Sequence, residues 1–222
     1  MFDKFFNLLK SKKEQIEETI EPTIFDESRI IKDFRVTNKW SKGKNRTNDD
    51  VIELVLHGTG GGSNVKSLLQ WMLNGERAKS YKQNIGLFPF AIDLNGDIYQ
   101  LVDNPGEHWF WHSNSGNHDK NTIGVELLNQ SSQNTNSYTE AQYNSLFWLA
   151  FEYMPYYFEN YTRIVGHDYN YNLYQHNKKG CPGSGFSWQK MQDELAKRNI
   201  EFKWEGFECF YDLEFPEGEN NG

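Results

Sequence analysis

Apolar and polar positions alternate along this chain with a period that changes from segment to segment, and each change marks an element. Phe2, Phe5, Phe6, Leu9, Ile16 and Ile20 recur at helical spacing among charges, which predicts an amphipathic helix over the first twenty residues. That helix either packs on its own domain or docks on a protein partner or membrane surface. Its mixed Lys and Glu face is not the strongly basic one that anionic membranes select. Residues 21–50 are mixed and polar, with Ile30-Ile31 and the stretch 34–36 as a candidate first strand and 41–50 as a loop.

The continuous apolar run Leu54-Val55-Leu56 then stops at His57 and breaks into Gly58, Gly60, Gly61 and Gly62, which reads as a buried strand over 51–57 delivering a histidine to an opening. Ser63 or Asn64 caps a helix carrying Val65, Leu68, Leu69 and Met72 on one face. A glycine-rich loop after a strand invites a phosphate-binding reading, but neither the Gly-Lys-Ser/Thr ending nor the dinucleotide spacing follows. Residues 88–93 and 97–102 flank Asn95-Gly96, the strongest short-range hairpin signal.

Residues 122–128 read as a further buried strand in which Glu126 is the anomaly, since a carboxylate in an apolar run is costly unless paired, protonated or facing a cavity. Thr139-Glu140-Ala141-Gln142 has the form of a capping box, and Tyr143, Leu146, Phe147, Ala150, Phe151 and Met154 form the stripe of a long helix. Residues 162–166 form a strand that ends at His167, followed by a loop over 168–180. Ser187 caps a last helix through Met191 and Leu195. Ile200, Phe202 and Trp204, then Phe207, Cys209, Tyr211 and Leu213, alternate around Glu205-Gly206 as a terminal hairpin, with a frayed tail over 217–222.

Three of these element ends carry soft ligands. His57 and His167 close apolar strands, and Cys181 sits in the turn Gly180-Cys181-Pro182-Gly183; zinc is bound by such groups, and two His with one Cys leave a tetrahedral position open, as catalytic sites do. Taken singly, each residue has a bland reading: Cys181 as a small buried hydrophobe, a strand-end histidine as a hydrogen-bonded turn residue. The stretch Trp109-Phe110-Trp111-His112-Ser113-Asn114 is a polar-aromatic loop that suits either a sugar-stacking groove or an ordinary surface.

Composition narrows the classes further. The 222 residues suit one domain with extensions. An aromatic content of 16% fits a dense core or a sugar-facing groove, and the net charge of -8 argues against a nucleic-acid partner. Cys181 and Cys209 can in principle pair, yet they make no disulfide framework. The first ten residues lack the basic start and apolar core of a secretory signal, and nothing later is apolar for long enough to span a bilayer. The chain is therefore expected to stay cytoplasmic until released to its site of action; travel with a virion is an alternative that draws only on the helix over the first twenty residues.

The order of these motifs, an apolar strand ending in His57-Gly58-Thr59, the strand Ile123-Gly124-Val125-Glu126, then Gly166-His167-Asp168 and Lys179-Gly180-Cys181-Pro182-Gly183, resembles the zinc-dependent N-acetylmuramoyl-L-alanine amidase family. That family takes in short phage endolysins, muropeptide amidases and peptidoglycan recognition proteins. The resemblance runs over about 51–195. It implies an α/β fold, a single domain with a central mixed β-sheet flanked by helices and a Zn2+ site at one end of the sheet. The boundaries expected are an N-terminal helix and linker over 1–45, the amidase domain over 46–198 and a C-terminal extension over 199–222.

The same resemblance implies a bacteriolytic hydrolase that cuts peptidoglycan between N-acetylmuramic acid and L-alanine, or a recognition module that binds it without turnover. His57, His167 and Cys181 become the metal ligands, Glu126 the general base and later acid, and Lys179 an ammonium near the developing negative charge, with Lys178 its solvated neighbour. A salt-bridging role is the alternative for Glu126. Trp111, His112, Ser113, Asn114 and Phe88 become substrate contacts. The chain departs from the family at Phe88-Pro89-Phe90, where family enzymes often carry Tyr-His before an aromatic, so a hydroxyl that assists catalysis is missing. The cysteine ligand matches the short phage enzymes, whereas many members use Asp.

Overall fold

A computed structural model describes residues 25–33, 35, 46–62, 64–73, 88–112, 118–167, 181–204 and 210–214. The expected N-terminal helix, the loop over 168–180 and the tail over 217–222 lie outside the described residues. The strands are β1 (Ile30–Ile31), β2 (Glu53–Gly58), β3 (Phe90–Ile92), β4 (Ile98–Gln100), β5 (Thr122–Leu127), β6 (Arg163–Gly166), β7 (Glu201–Trp204) and β8 (Phe210–Glu214). The helices are α1 (Val65–Leu73), α2 (Glu140–Trp148), α3 (Met154–Tyr157) and α4 (Trp188–Lys197).

All the described strands belong to one mixed sheet, ordered β1-β4-β3-β5-β2-β6-β8-β7. Its centre, β3-β5-β2-β6, is parallel, and β4 and β8 flank that centre antiparallel. The β3–β4 hairpin turns at Asn95-Gly96, where Gly96 takes a φ of 88° that glycine adopts without steric cost. The C-terminal β7–β8 hairpin continues the sheet beyond β6.

Period-2 alternation gives the central strands two different faces. Leu54, Leu56, Phe90, Ile92, Ile123, Val125, Leu127 and Ile164 join the main core, which also holds Leu146, Leu149 and Met154 of the α2–α3 segment and Met191 and Leu195 of α4. The opposite face is mixed. Ala91 packs there with Val65, Leu68 and Leu69 of α1, and Val55 packs with Val165. Glu53 and His57 of β2, and Thr122, Gly124 and Glu126 of β5, share that face by the same alternation and cross-strand register.

Local signals set the helix starts. Asn64 Oδ1 accepts from Ser67 N at 2.8 Å ahead of α1, and Thr139 and Gln142 close a reciprocal capping box on α2. Ser187 accepts from Lys190 N at the start of α4. The stripe predicted to run unbroken to Met154 is interrupted by a π-helical turn at Leu149–Tyr153. Pro155, in the first turn of α3, has no N–H to return to the preceding turn, and a widened turn there accommodates that loss.

Candidate metal centre

The carboxyl ends of β2 and β6 lie side by side, because Leu56 pairs with Gly166. Continuing that register by one residue sets His167 beside His57, and their rings approach with centroids 4.3 Å apart. Cys181 arrives from a separate loop: its Sγ lies 3.9 Å from His57 Nδ1 and accepts from Gly58 N at 3.4 Å. The ligand atoms of His57, His167 and Cys181 all lie within 4.8 Å of one another, and the thiol is free of any disulfide.

A loop that the sequence did not single out holds these ends together. Asn134 accepts from Gly60 N at 2.7 Å through Oδ1 and donates from Nδ2 to Gly58 O at 3.2 Å. Its own carbonyl accepts from Gly185 N at 3.0 Å, so one residue ties the His57 strand end to the Cys181 loop. Tyr138 adds a second tie, donating to Pro182 O at 2.7 Å. Burial, then the nearby Cys181 charge, raises the Tyr138 phenol above its ordinary range, with hydrogen bonding to Asn129 opposing and Glu126 adding to the rise, so it stays a donor. Asn134 sits at φ 55°, a backbone region that asparagine tolerates better than most residues. That tolerance is the one sequence cue to its role.

Glu126 pairs with His57 across β2 and β5 and is 4% exposed. Phe88 is half-buried with its ring centroid 4.7 Å from that of His57, where a tyrosine hydroxyl is absent. Trp111 is half-buried at the start of the polar-aromatic loop. His112 is placed differently from a groove-lining side chain: it is 6% exposed and lies against Gly124, where an added Cβ would meet the imidazole at 2.9 Å. Its Nδ1 is 3.3 Å from His57 Nε2 and its Nε2 is 2.9 Å from Thr122 Oγ1. Ser113, Asn114, Lys178 and Lys179 lie outside the described residues.

Burial dominates the electrostatics here. It holds the His57 imidazole well below its ordinary range, with the neighbouring His167, His112 and His118 pushing the same way. His112 is pushed down to about 3, again chiefly by burial, then by His118 and Arg46. Both rings are therefore neutral near pH 7, the state in which imidazole nitrogen ligates a metal or accepts a hydrogen bond.

Two further polar residues escaped the sequence reading. Arg46 is buried and donates to the carbonyls of Pro105, Gly106, His108, Lys120 and Thr122, holding the segments on both sides of His112. Desolvation lowers the guanidinium to about 10, against the pull of Asp50 and Asp119, so it remains a cation at neutral pH. Glu53, at the other end of β2 from His57, meets His118 Nε2 at 2.7 Å and Arg163 Nη1 at 3.5 Å. Neither residue stands in a motif that announces a long-range partner.

Two imidazoles and a thiol at the carboxyl ends of parallel strands, beside a buried carboxylate, define an α/β domain with a candidate metal centre; the donor set is of the kind zinc takes. The family model described as N-acetylmuramoyl-L-alanine amidase (Amidase_2) matches residues 47–184, and the chain belongs to that family. Among solved structures, N-acetylmuramoyl-L-alanine amidase LysC from Clostridium intestinale URNW is similar at 20% identity, covering 75% of this chain and 97% of that one with a TM-score of 0.50. The endolysin amidase LysCS from the same organism is similar at 20% identity, covering 75% of this chain and 95% of that one with a TM-score of 0.53. At that identity the likeness is one of fold. No curated protein matches the chain. Among the described residues no helix is long and apolar enough to cross a membrane.

Proposed function

We propose that this chain is a zinc-dependent hydrolase of peptidoglycan that cuts the amide bond between N-acetylmuramic acid and L-alanine, in the manner of a lytic endolysin. The observation that carries the reading is the convergence of His57, His167 and Cys181 within 4.8 Å, next in register to Glu126, in a chain of the amidase family. The three residues would hold zinc and leave a position open. Zinc bound there supplies Lewis acidity, polarising a carbonyl and lowering the pKa of water to around 7.

Glu126 takes the proton from the attacking water as the oxygen adds to the lactyl carbonyl carbon, and returns it to the departing L-alanine nitrogen as the C–N bond breaks. Its burial next to His57 suits that shuttle, since a carboxylate screened from bulk solvent keeps its proton on the reaction path. Lys179, two residues before Cys181, is assigned to the negative charge that develops on the carbonyl oxygen. Phe88 supplies an apolar wall beside His57, which leaves the acid-base work to Glu126. Trp111, half-buried beside His112, is assigned to the side of the groove that meets the glycan and stem peptide, and Ser113 and Asn114 keep their expected role as substrate contacts.

The test is metal analysis combined with turnover on purified cell walls. The expected result is one zinc per chain, release of stem peptides with a free L-alanine amino terminus, and loss of both metal and activity in Cys181→Ala. A wild-type protein without metal, or full activity in Cys181→Ala, refutes the proposal. Zinc and wall binding without peptide release would instead make the domain a recognition module.

A further inference from the structure

His112 occupies a position that the amidase reaction as set out above does not use. Its ring is buried against the backbone of Gly124, a place open only because β5 carries no side chain there. From that place its Nδ1 faces His57 Nε2 at 3.3 Å, and its Nε2 faces Thr122 Oγ1 at 2.9 Å with Asp119 Oδ1 at 3.7 Å. Asp119 also accepts from the His112 backbone N–H at 3.3 Å, and the Arg46 guanidinium holds the flanking carbonyls of His108 and Lys120.

We infer that His112 is a positioning residue for His57: it fixes the tautomer and ring orientation that aim His57 Nδ1 at the metal site. The inference rests on the zinc reading of His57, His167 and Cys181. Two ring nitrogens at hydrogen-bond distance need a single proton between them. His57 Nδ1 is the atom on the Cys181 side, 3.9 Å from its Sγ, and a metal ligand must be bare. A neutral His57 therefore carries its proton on Nε2 and donates it to His112 Nδ1. His112, neutral in turn, carries its own proton on Nε2 and donates it to Thr122 Oγ1, with the Asp119 carboxylate beyond.

The direction of every donor in the row follows from that one requirement. Metal-ligating histidines are commonly held through their second nitrogen, and loss of such a partner costs about 10- to 100-fold in metal affinity. Here the partner is a second histidine, itself anchored on the strand that carries Glu126. His57 and Glu126 are thus oriented from the same piece of backbone.

The test compares two variants of nearly equal shape. His112→Asn keeps an acceptor oxygen on the atom that bears Nδ1, and His112→Leu removes it. In competition with a chromogenic chelator, the Leu variant is expected to lose about 10- to 100-fold in zinc affinity, while the Asn variant recovers most of it. The cobalt-substituted Leu variant should show an altered ligand-field spectrum. Long-range proton–nitrogen correlation spectra of the zinc-loaded wild type should find both His57 and His112 protonated on Nε2, a readout that needs no variant to fold. Equal zinc affinities in the Leu and Asn variants, or a His112 protonated on Nδ1, overturn the role of His112 alone. A wild-type chain that takes up no zinc overturns the metal reading and this inference with it.

Discussion

His57 and Glu126 face each other in register on the adjacent parallel strands β2 and β5. Neighbouring strands lie about 4.8 Å apart, so the proposed metal ligand and a carboxylate are set side by side by backbone pairing rather than by loop conformation. Glu126→Gln preserves shape and one acceptor oxygen while removing the titrating group. The variant is expected to keep its zinc and its melting temperature and to lose about 10²–10⁴-fold in turnover. Activity within a few-fold of wild type would return Glu126 to a structural role.

The Cys181 end is held less directly. Asn134 bonds to Gly58, Gly60 and Gly185, spanning the two ligand-bearing segments from one side chain and one carbonyl. Asn134→Gly suits the φ of 55° and removes only the side-chain bonds. It is expected to weaken zinc binding by about tenfold with the ligands themselves intact. Unchanged affinity by chelator competition would show that the loop holds its place without that side chain.

How much of this was legible in the sequence differs from residue to residue, for physical reasons. His57 and His167 were legible as candidates because each closes an apolar strand, and Glu126 because it interrupts one, and a strand fixes where its residues point. The alternation Thr122-Gly124-Glu126 against Ile123-Val125-Leu127 already carried the site face, although the run read as uniformly buried. His112 looked like a groove residue because a loop motif says nothing about which side of the loop a ring takes; the space at Gly124 decided that. Arg46 and Asn134 were invisible, since their partners lie from 50 to more than 70 residues away and are backbone atoms that every sequence has. The π-helical turn was foreshadowed only by Pro155 inside an otherwise helical stripe.

Arg46 gives a prediction about stability rather than chemistry. Its guanidinium is buried and serves carbonyls on both sides of His112. Lysine retains the charge but not the planar fork of donors, so Arg46→Lys and Arg46→Met should both destabilise the fold, the latter by at least about 3 kcal/mol as buried carbonyls lose their donors. Urea unfolding measures this. A loss below about 1 kcal/mol in Arg46→Met would mean that water replaces the guanidinium without cost.

The buried histidines make the metal-free protein acid-sensitive in a definite window. Burial pushes His112 down to about 3, so it takes no proton in the folded state between pH 6.5 and about 3, and burial with the neighbouring His167, His112 and His118 holds His57 well below its ordinary value too. The unfolded chain binds one proton at each as pH falls through about 6.5. More protons on the unfolded side means that stability rises with pH across this window and is level above it, with a slope of about 1.4 kcal/mol per pH unit for each such histidine. Between pH 6.5 and 5, above most carboxylate titration, urea unfolding of the chelator-treated protein should therefore lose about 2 kcal/mol through His112, with His57 acting in the same direction. His112→Asn removes the His112 contribution and should make the slope shallower. A stability that is flat from pH 7 to 5 would mean that these rings are not held neutral by the fold, and a slope unchanged in His112→Asn would assign the effect to other groups.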